Sequence, residues 1–212
     1  MPKVRTERQE RKAAQREAAE RAKRNNALLW RAVVVIAVLA AAAYGYGRYR
    51  QGRLLDAVTT ASYVGGEHVA GPITYKESPP VGGPHNIVWQ NCGVYDAPIH
   101  NEHAVHSMEH GAVWITYRPD LPQDQVAMLK TVAADDYMLL SPYPGLSAPV
   151  VASAWNHQIR LTGASDPSLQ AFIDQYKTNP STTPEFGASC AGGIGTTAAV
   201  DTLNITADRM TQ

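Results

Sequence analysis

The sequence predicts an α+β protein: a single N-terminal transmembrane helix followed by a small mixed α+β extracytoplasmic domain. An uninterrupted apolar run at residues 32–43 (AVVVIAVLAAAA), extended by Leu28, Leu29 and Trp30 before it and by residues 44–47 after it, predicts the helix. Downstream, short apolar strands alternate with short helical stretches, and no Gly-rich phosphate loop opens a helix. That pattern points to α+β rather than a doubly wound parallel sheet. The charge is also unevenly divided. The first 53 residues hold 13 of the 19 Lys/Arg and four of the 19 Asp/Glu, a local +9 against −9 in the remainder, although the chain as a whole is neutral.

Such a partition signals a membrane or a nucleic acid. The aromatic residues of the basic part (Trp30, Tyr44, Tyr46, Tyr49) are not interleaved with the leading basic run, so the expected partner is the lipid bilayer and not nucleic acid. Two cysteines and one long apolar run exclude a disulfide-dense miniprotein and a multi-span transporter.

Residues 1–27 read as a basic cytoplasmic tail. Glu7 with Arg11, Glu17 with Arg21 and Glu20 with Arg24 stand at helical spacing, which allows a helix lying near anionic lipid; a solvated, disordered tail is the alternative. Residues 28–47 are the transmembrane signal anchor. About twenty residues rising roughly 1.5 Å each cross a hydrocarbon core of about 30 Å, with Arg31 able to snorkel and Trp30, Tyr44 and Tyr46 suited to the interfaces. Ten Lys/Arg precede the span's apolar run and three follow it (Arg48, Arg50, Arg53), so the N-terminus is expected inside and the C-terminal domain outside the cytoplasmic membrane. The basic region ahead of the span is too long for an ordinary signal peptide, which favours retention, though the Ala-rich residues 40–43 leave cleavage open.

Residues 48–71 form a membrane-proximal linker and residues 72–178 the extracytoplasmic α+β domain. Within it, residues 73–75 and 87–90 read as short strands on either side of a Pro/Gly loop (SPPVGGP, residues 78–84). Residues 98–110 suit a short helix stopped by Gly111, and residues 112–117 (AVWITY) are the strongest strand in the chain. A helix over 124–134 follows, then strands at 137–140 and 150–154, with 157–161 continuing across a hairpin. Asp166 as N-cap and Pro167 at the first helical position start a last helix that runs to about residue 177. Residues 179–212, rich in Thr, Ala, Gly and Ser, read as a low-complexity tail, poorly ordered except near Cys190.

Outside the membrane thiols oxidise, so Cys92 and Cys190 are expected to form a disulfide; the competing use of Cys92 is as a thiolate ligand beside the histidines. Four of the seven histidines fall within HNEHAVHSMEH: His100, His103, His106 and His110. On a helix the last three share a face, and His106 and His110 are one turn apart, a spacing that lets two imidazoles grip one metal ion. If the segment is extended, His106, Met108 and His110 share a face instead, a set suited to copper. Glu102, Glu109, Asp96 and His85 are further nearby candidates. The letters His106, Glu109 and His110 also satisfy H-x-x-E-H, the inverted zinc-protease motif, for which Glu185, the one Glu after position 110, would have to supply a third ligand. Structural histidines packed near Trp114 are the plain alternative.

Gly83-Pro84-His85, Gly93-Val94-Tyr95-Asp96, His106-Ser107 with Glu109-His110-Gly111, and Ala154-Trp155 together resemble a family of bacterial membrane-anchored proteins known only as domain of unknown function 3105. The resemblance covers roughly residues 72–186. It implies no established activity, and the chain is not expected to be an enzyme. It singles out His85, His106 and His110 as metal ligands, with Glu109 as a fourth ligand or as the group that orients an imidazole. Met108, His103 and His100 are additional candidate ligands, and Tyr95, Asp96 and Trp155 are structural or supporting residues. The family often has Leu where this chain has Met108. Members are often encoded near small proteins with copper-associated His and Met motifs, which implies copper over zinc. The resulting expectation is a metal-handling protein of the envelope, with an envelope protein as a further partner. The alternatives are a non-metal interaction module and a zinc hydrolase.

Overall fold

The computed structural model describes residues 3–204, with side chains from residue 11 onward. Lys3, Arg5, Arg8 and the expected pairing of Glu7 with Arg11 therefore lie outside the described side chains. Residues 205–212 of the expected tail lie outside the described residues.

The chain divides into two units, Met1–Gly52 and Arg53–Gln212. The described residues of the first lie within one continuous helix, α1 (Lys3–Leu54). It contains a stretch long and apolar enough to cross a membrane. Leu28, Leu29, Val33 and Ile36 are all exposed on it, the apolar-all-round surface that a lipid environment rewards.

The second unit is α+β. Its strands β1 (Thr59–Thr60), β2 (Gly93–Val94), β3 (Val113–Tyr117), β4 (Met138–Pro142), β5 (Val150–Ala154) and β6 (His157–Leu161) form one mixed sheet in the order β1-β6-β5-β3-β4-β2. β3 pairs in parallel with β4 and antiparallel with β5, so the sheet changes sense at β3. Every residue of β3, β4 and β5 is buried. This explains why AVWITY reads as a continuous apolar run and not an alternating one.

The pleat sends alternate residues to two cores. Val113, Ile115, Met138, Leu140, Val150 and Ala152 pack with α3 (Gln123–Val132) and α4 (Pro167–Tyr176). Trp114 and Leu139 face the other way, against Val105 and Met108 of α2 (Asn101–Glu109) and against Trp155. α4 starts as its sequence predicts: the Asp166 carboxylate accepts from the Ser168 N–H at 3.0 Å, with Pro167 at the first helical position.

Two expected strands are absent. In residues 73–75, the Ile73 N–H donates to the Glu102 carboxylate at 2.9 Å. In residues 87–90, the Gln90 N–H donates to the His103 carbonyl at 3.0 Å, and only an isolated bridge joins Gln90 to Ile194. These backbones are satisfied by α2 and its side chains, so no neighbouring strand is needed. The segment after α4 has no helix or strand through residue 204, yet it is held at several points, and not only near Cys190 where order is expected. The Asn91 N–H donates to the Ile194 carbonyl, the Asn86 side chain to the Leu203 carbonyl, and Thr202 and Leu203 are buried. Cys92 and Cys190 come together as a disulfide-capable pair, their Cα atoms 5.4 Å apart.

Candidate metal centre

α2 is unusual in that all of its residues from Glu102 to Glu109 are buried, although five of these eight are polar. A buried polar group without a partner costs several kcal/mol, about 1–3 even on protein-derived scales, so each of these side chains must be answered. Glu102 takes the Ile73 amide. The Ser107 hydroxyl donates to the Gln90 carbonyl at 2.6 Å. His103 uses both ring nitrogens: Nδ1 lies 2.5 Å from the Val88 carbonyl and Nε2 2.9 Å from the Thr202 hydroxyl. The helix ends at His110, where Gly111 takes a φ of 103°, a left-handed turn that other residues adopt only with strain. This stop leaves His106, Glu109 and His110 on the last turn.

His85, His106 and His110 differ from His103 in that only Nδ1 has a hydrogen-bond partner. His85 Nδ1 donates to the Gly83 carbonyl at 2.8 Å, His106 Nδ1 to Asn86 at 2.8 Å and His110 Nδ1 to Ser189 at 2.7 Å. A backbone carbonyl on Nδ1 fixes the proton there and leaves Nε2 as a bare lone pair, the tautomer a metal needs. His85 Nε2 stands 2.8 Å from Glu109 Oε2, with both side chains fully buried. The approach lacks a hydrogen bond's alignment, and both atoms remain without a hydrogen-bond partner. Glu109 Oε1 accepts the Gly66 N–H at 2.6 Å. Burial pushes the Glu109 carboxyl up, but the His85 imidazole, the Gly66 amide and His106 outweigh it and hold the group below its ordinary value.

These ligand atoms fall into two groups, each lying within 4.8 Å: His68, His85, His106 and Glu109, and separately His106, His110 and Glu185. Burial, reinforced by His85, pushes His106 down to about 3, and His68 is lowered for the same two reasons. The aromatic floor is built by Trp155, whose ring meets His85 edge-on at 5.8 Å, and by Trp89, 5.0 Å from His110. Trp155 is placed by the β5–β6 turn, whose second residue Asn156 adopts a φ of 64°.

The family model described as protein of unknown function (DUF3105) matches residues 68–192, more than half of the chain. The chain belongs to this family. No curated protein and no solved structure matches it. The DUF3105 region opens at His68 and takes in Glu185 and Cys190, so it contains both ligand groups in full and extends beyond the 72–186 range of the sequence resemblance.

The trio His85, His106 and His110 is brought to one place but not into one group; His106 is the member common to both. Met108 is fully buried in the apolar cluster with Trp114 and Leu139, its neighbours on that face of the sheet. His103 is saturated by its two hydrogen bonds, and His100 Nε2 is 3.0 Å from the Val200 carbonyl. None of these three additional candidates joins either group. Asp96 pairs with Lys130 at 2.7 Å, and Tyr95 Oη donates to the Asn91 carbonyl. Sequence reasoning missed His68, which stands alone in the linker. An extended pairing brings it in: the Val69 N–H donates to the His85 carbonyl and the His85 N–H to the Glu67 carbonyl, in a parallel bridge of His68 with His85.

Proposed function

We propose that this protein is a membrane-anchored, envelope-facing metal-handling protein that binds one divalent transition-metal ion through His68, His85, His106 and Glu109. The observation that carries the reading is the His85–Glu109 contact: two fully buried atoms with lone pairs, 2.8 Å apart and lacking hydrogen-bond partners, beside the His106 imidazole, already fixed in the metal-binding tautomer. An ion among them would answer both orphaned atoms. Three imidazoles and a carboxylate suit Cu(II) and Zn(II), and the Irving–Williams order favours Cu(II). Met108 is committed to the apolar core and the cysteines to each other, so no soft sulfur donor argues for Cu(I).

In this reading α1 crosses the cytoplasmic membrane with its basic end inside, the bilayer is the first partner, and Cys92 and Cys190 are oxidised to a disulfide in the outer compartment. A further envelope protein would give or receive the metal. Elemental analysis of the natively purified membrane protein tests the proposal directly. Near-stoichiometric copper or zinc, with thermal stabilisation by added Cu(II), is expected. Substoichiometric metal and no stabilisation would instead favour a non-metal interaction module whose histidines form a polar network.

A second reading rests on His106, His110 and Glu185, which reproduce the two-His-one-Glu donor set of zinc hydrolases with Glu109 between the histidines in sequence. Against it, Glu109 Oε1 is taken by the Gly66 amide and its Oε2 faces His85, so the carboxylate belongs to the other ligand group. A Glu109→Gln variant that keeps zinc and loses a hydrolytic activity would establish this second reading.

A further inference from the structure

His106 is shared by two ligand groups, yet it has one nitrogen to give. Its Nδ1 is committed to the Asn86 carbonyl, leaving Nε2 alone for a metal. His85 and His110 flank it at nearly equal ring separations, 4.8 Å and 4.6 Å. Glu185 Oε2 lies 3.1 Å from His110 Nε2 and 3.9 Å from His106 Nε2. Each group has one ligand open to solvent, His68 in the first and Glu185 in the second, and the groups differ in what lies behind it. The Glu185 side chain is 41% exposed, whereas those of His85 and Glu109 are 0% exposed.

Building on the proposed metal-binding reading, we infer that His106 is the pivot between two mutually exclusive seats for a single divalent transition-metal ion: an outer exchange seat of His106, His110 and Glu185, and an inner holding seat completed by His68, His85 and Glu109. Transfer is a ligand exchange. Bonds to His110 and Glu185 break as bonds to His68, His85 and Glu109 form, the His106 Nε2 bond is kept throughout, and the ion retains its oxidation state. Each seat offers one carboxylate, so the ion's charge is met in either position. The Ser189 carbonyl on His110 Nδ1 keeps the outer imidazole in the tautomer this exchange requires.

The test uses the full chain in detergent with Cu(II) as the probe, read by native mass spectrometry, Cu(II) electron paramagnetic resonance and the rate of removal by EDTA. Wild type should hold one copper per chain. A His110→Ala/Glu185→Gln variant should still hold one, with removal slowed on the order of tenfold. His68→Ala/Glu109→Gln, which spares buried His85 and changes an exposed imidazole, should also hold one copper, more weakly and with a different spectrum. Two coppers per wild-type chain would overturn the sharing of His106. Unchanged EDTA kinetics in the first variant, or loss of all copper in the second with its thermal unfolding still cooperative, would overturn the outer seat. Wild type that binds no copper and no zinc would instead defeat the metal-binding reading itself.

Discussion

His85 Nε2 and Glu109 Oε2 face each other at 2.8 Å in a region closed to solvent, and the contact is held from both sides. The Gly83 carbonyl orients the imidazole, and the Gly66 amide orients the carboxylate. Removing the carboxylate deprives the Gly66 amide of its acceptor, at a cost of about 1–3 kcal/mol. Glu109→Ala should therefore lower the unfolding free energy of the metal-free protein by about 1–3 kcal/mol. Glu109→Gln, which keeps an oxygen for Gly66, should cost less than half as much. Urea unfolding followed by tryptophan fluorescence distinguishes them, and equal losses would show that the carboxylate charge, not the bond to Gly66, carries the stabilisation.

Gly65 reports on the same carboxylate from outside. A Cβ at this position would collide with Glu109 Oε1 and lie 2.7 Å from Pro184 Cβ. Gly65→Ala should displace Glu109 and weaken metal binding by about 10–100-fold, the range for groups that orient ligands. Gly66→Ala is not an equivalent control, because Gly66 has a φ of 82° and any side chain is strained there. Isothermal titration with Cu(II) in the presence of a competing chelator measures the change.

His103 separates a structural histidine from a metal-binding one. Its ring nitrogens are taken by Val88 and Thr202, so His103→Ala should destabilise the fold by about 1–3 kcal/mol while leaving Cu(II) affinity unchanged. His106→Ala should do the reverse in emphasis, abolishing tight binding. Parallel thermal melts and Cu(II) titrations of the two variants check this.

The contrast also explains what the sequence revealed. Four histidines at helical spacing before a glycine announce both α2 and a chemical site, because periodicity of three and four is local information. Which of them face a metal is not local. His103 and His106 are three residues apart on one helix, and only the surrounding loops, Val88 and Thr202 against Asn86, separate their roles. His68 carries no sequence signal, since it is recruited by an extended pairing with residue 85 across a Pro/Gly loop. Glu185 was visible only as the one glutamate after position 110; its location depends on the C-terminal segment being laced back over residues 86–100. The central strands were readable from their continuous apolar runs. Strands of two residues, Thr59–Thr60 and Gly93–Val94, are too short to leave a pattern.

Acid should weaken the metal-free fold through His106. Its native value of about 3 lies below the ordinary 6.5 because it is buried beside His85. The unfolded chain therefore binds the proton first as pH falls. Stability from this group is fully present above about pH 6.5, declines below it at up to about 1.4 kcal/mol per pH unit, and levels off near pH 3. His68, also lowered, adds in the same direction. His106→Asn should flatten the slope of unfolding free energy against pH between 6.5 and 4. An unchanged slope would mean that other groups carry the dependence.

The cysteine pair connects the C-terminal segment to the site. Cys92 and Cys190 are 98 residues apart in sequence, and the Cys92 N–H donates to the Cys190 carbonyl. In the chain-entropy model a bridge closing a loop of that size stabilises by about 4–5 kcal/mol. Its local effect should be uneven. Ser189, next to Cys190, supplies the carbonyl that fixes His110, while His85 and His106 are fixed by Gly83 and Asn86 on a different loop. Cys92→Ser/Cys190→Ser should therefore lower the melting temperature and loosen His110 and Glu185 before it disturbs His85 and Glu109. Hydrogen exchange at residues 185–194 should rise in the variant while the amide of Gly66, bonded to Glu109, stays protected. Equal loss of protection at both places would show that the bridge stabilises the whole domain without a special hold on the His110 side.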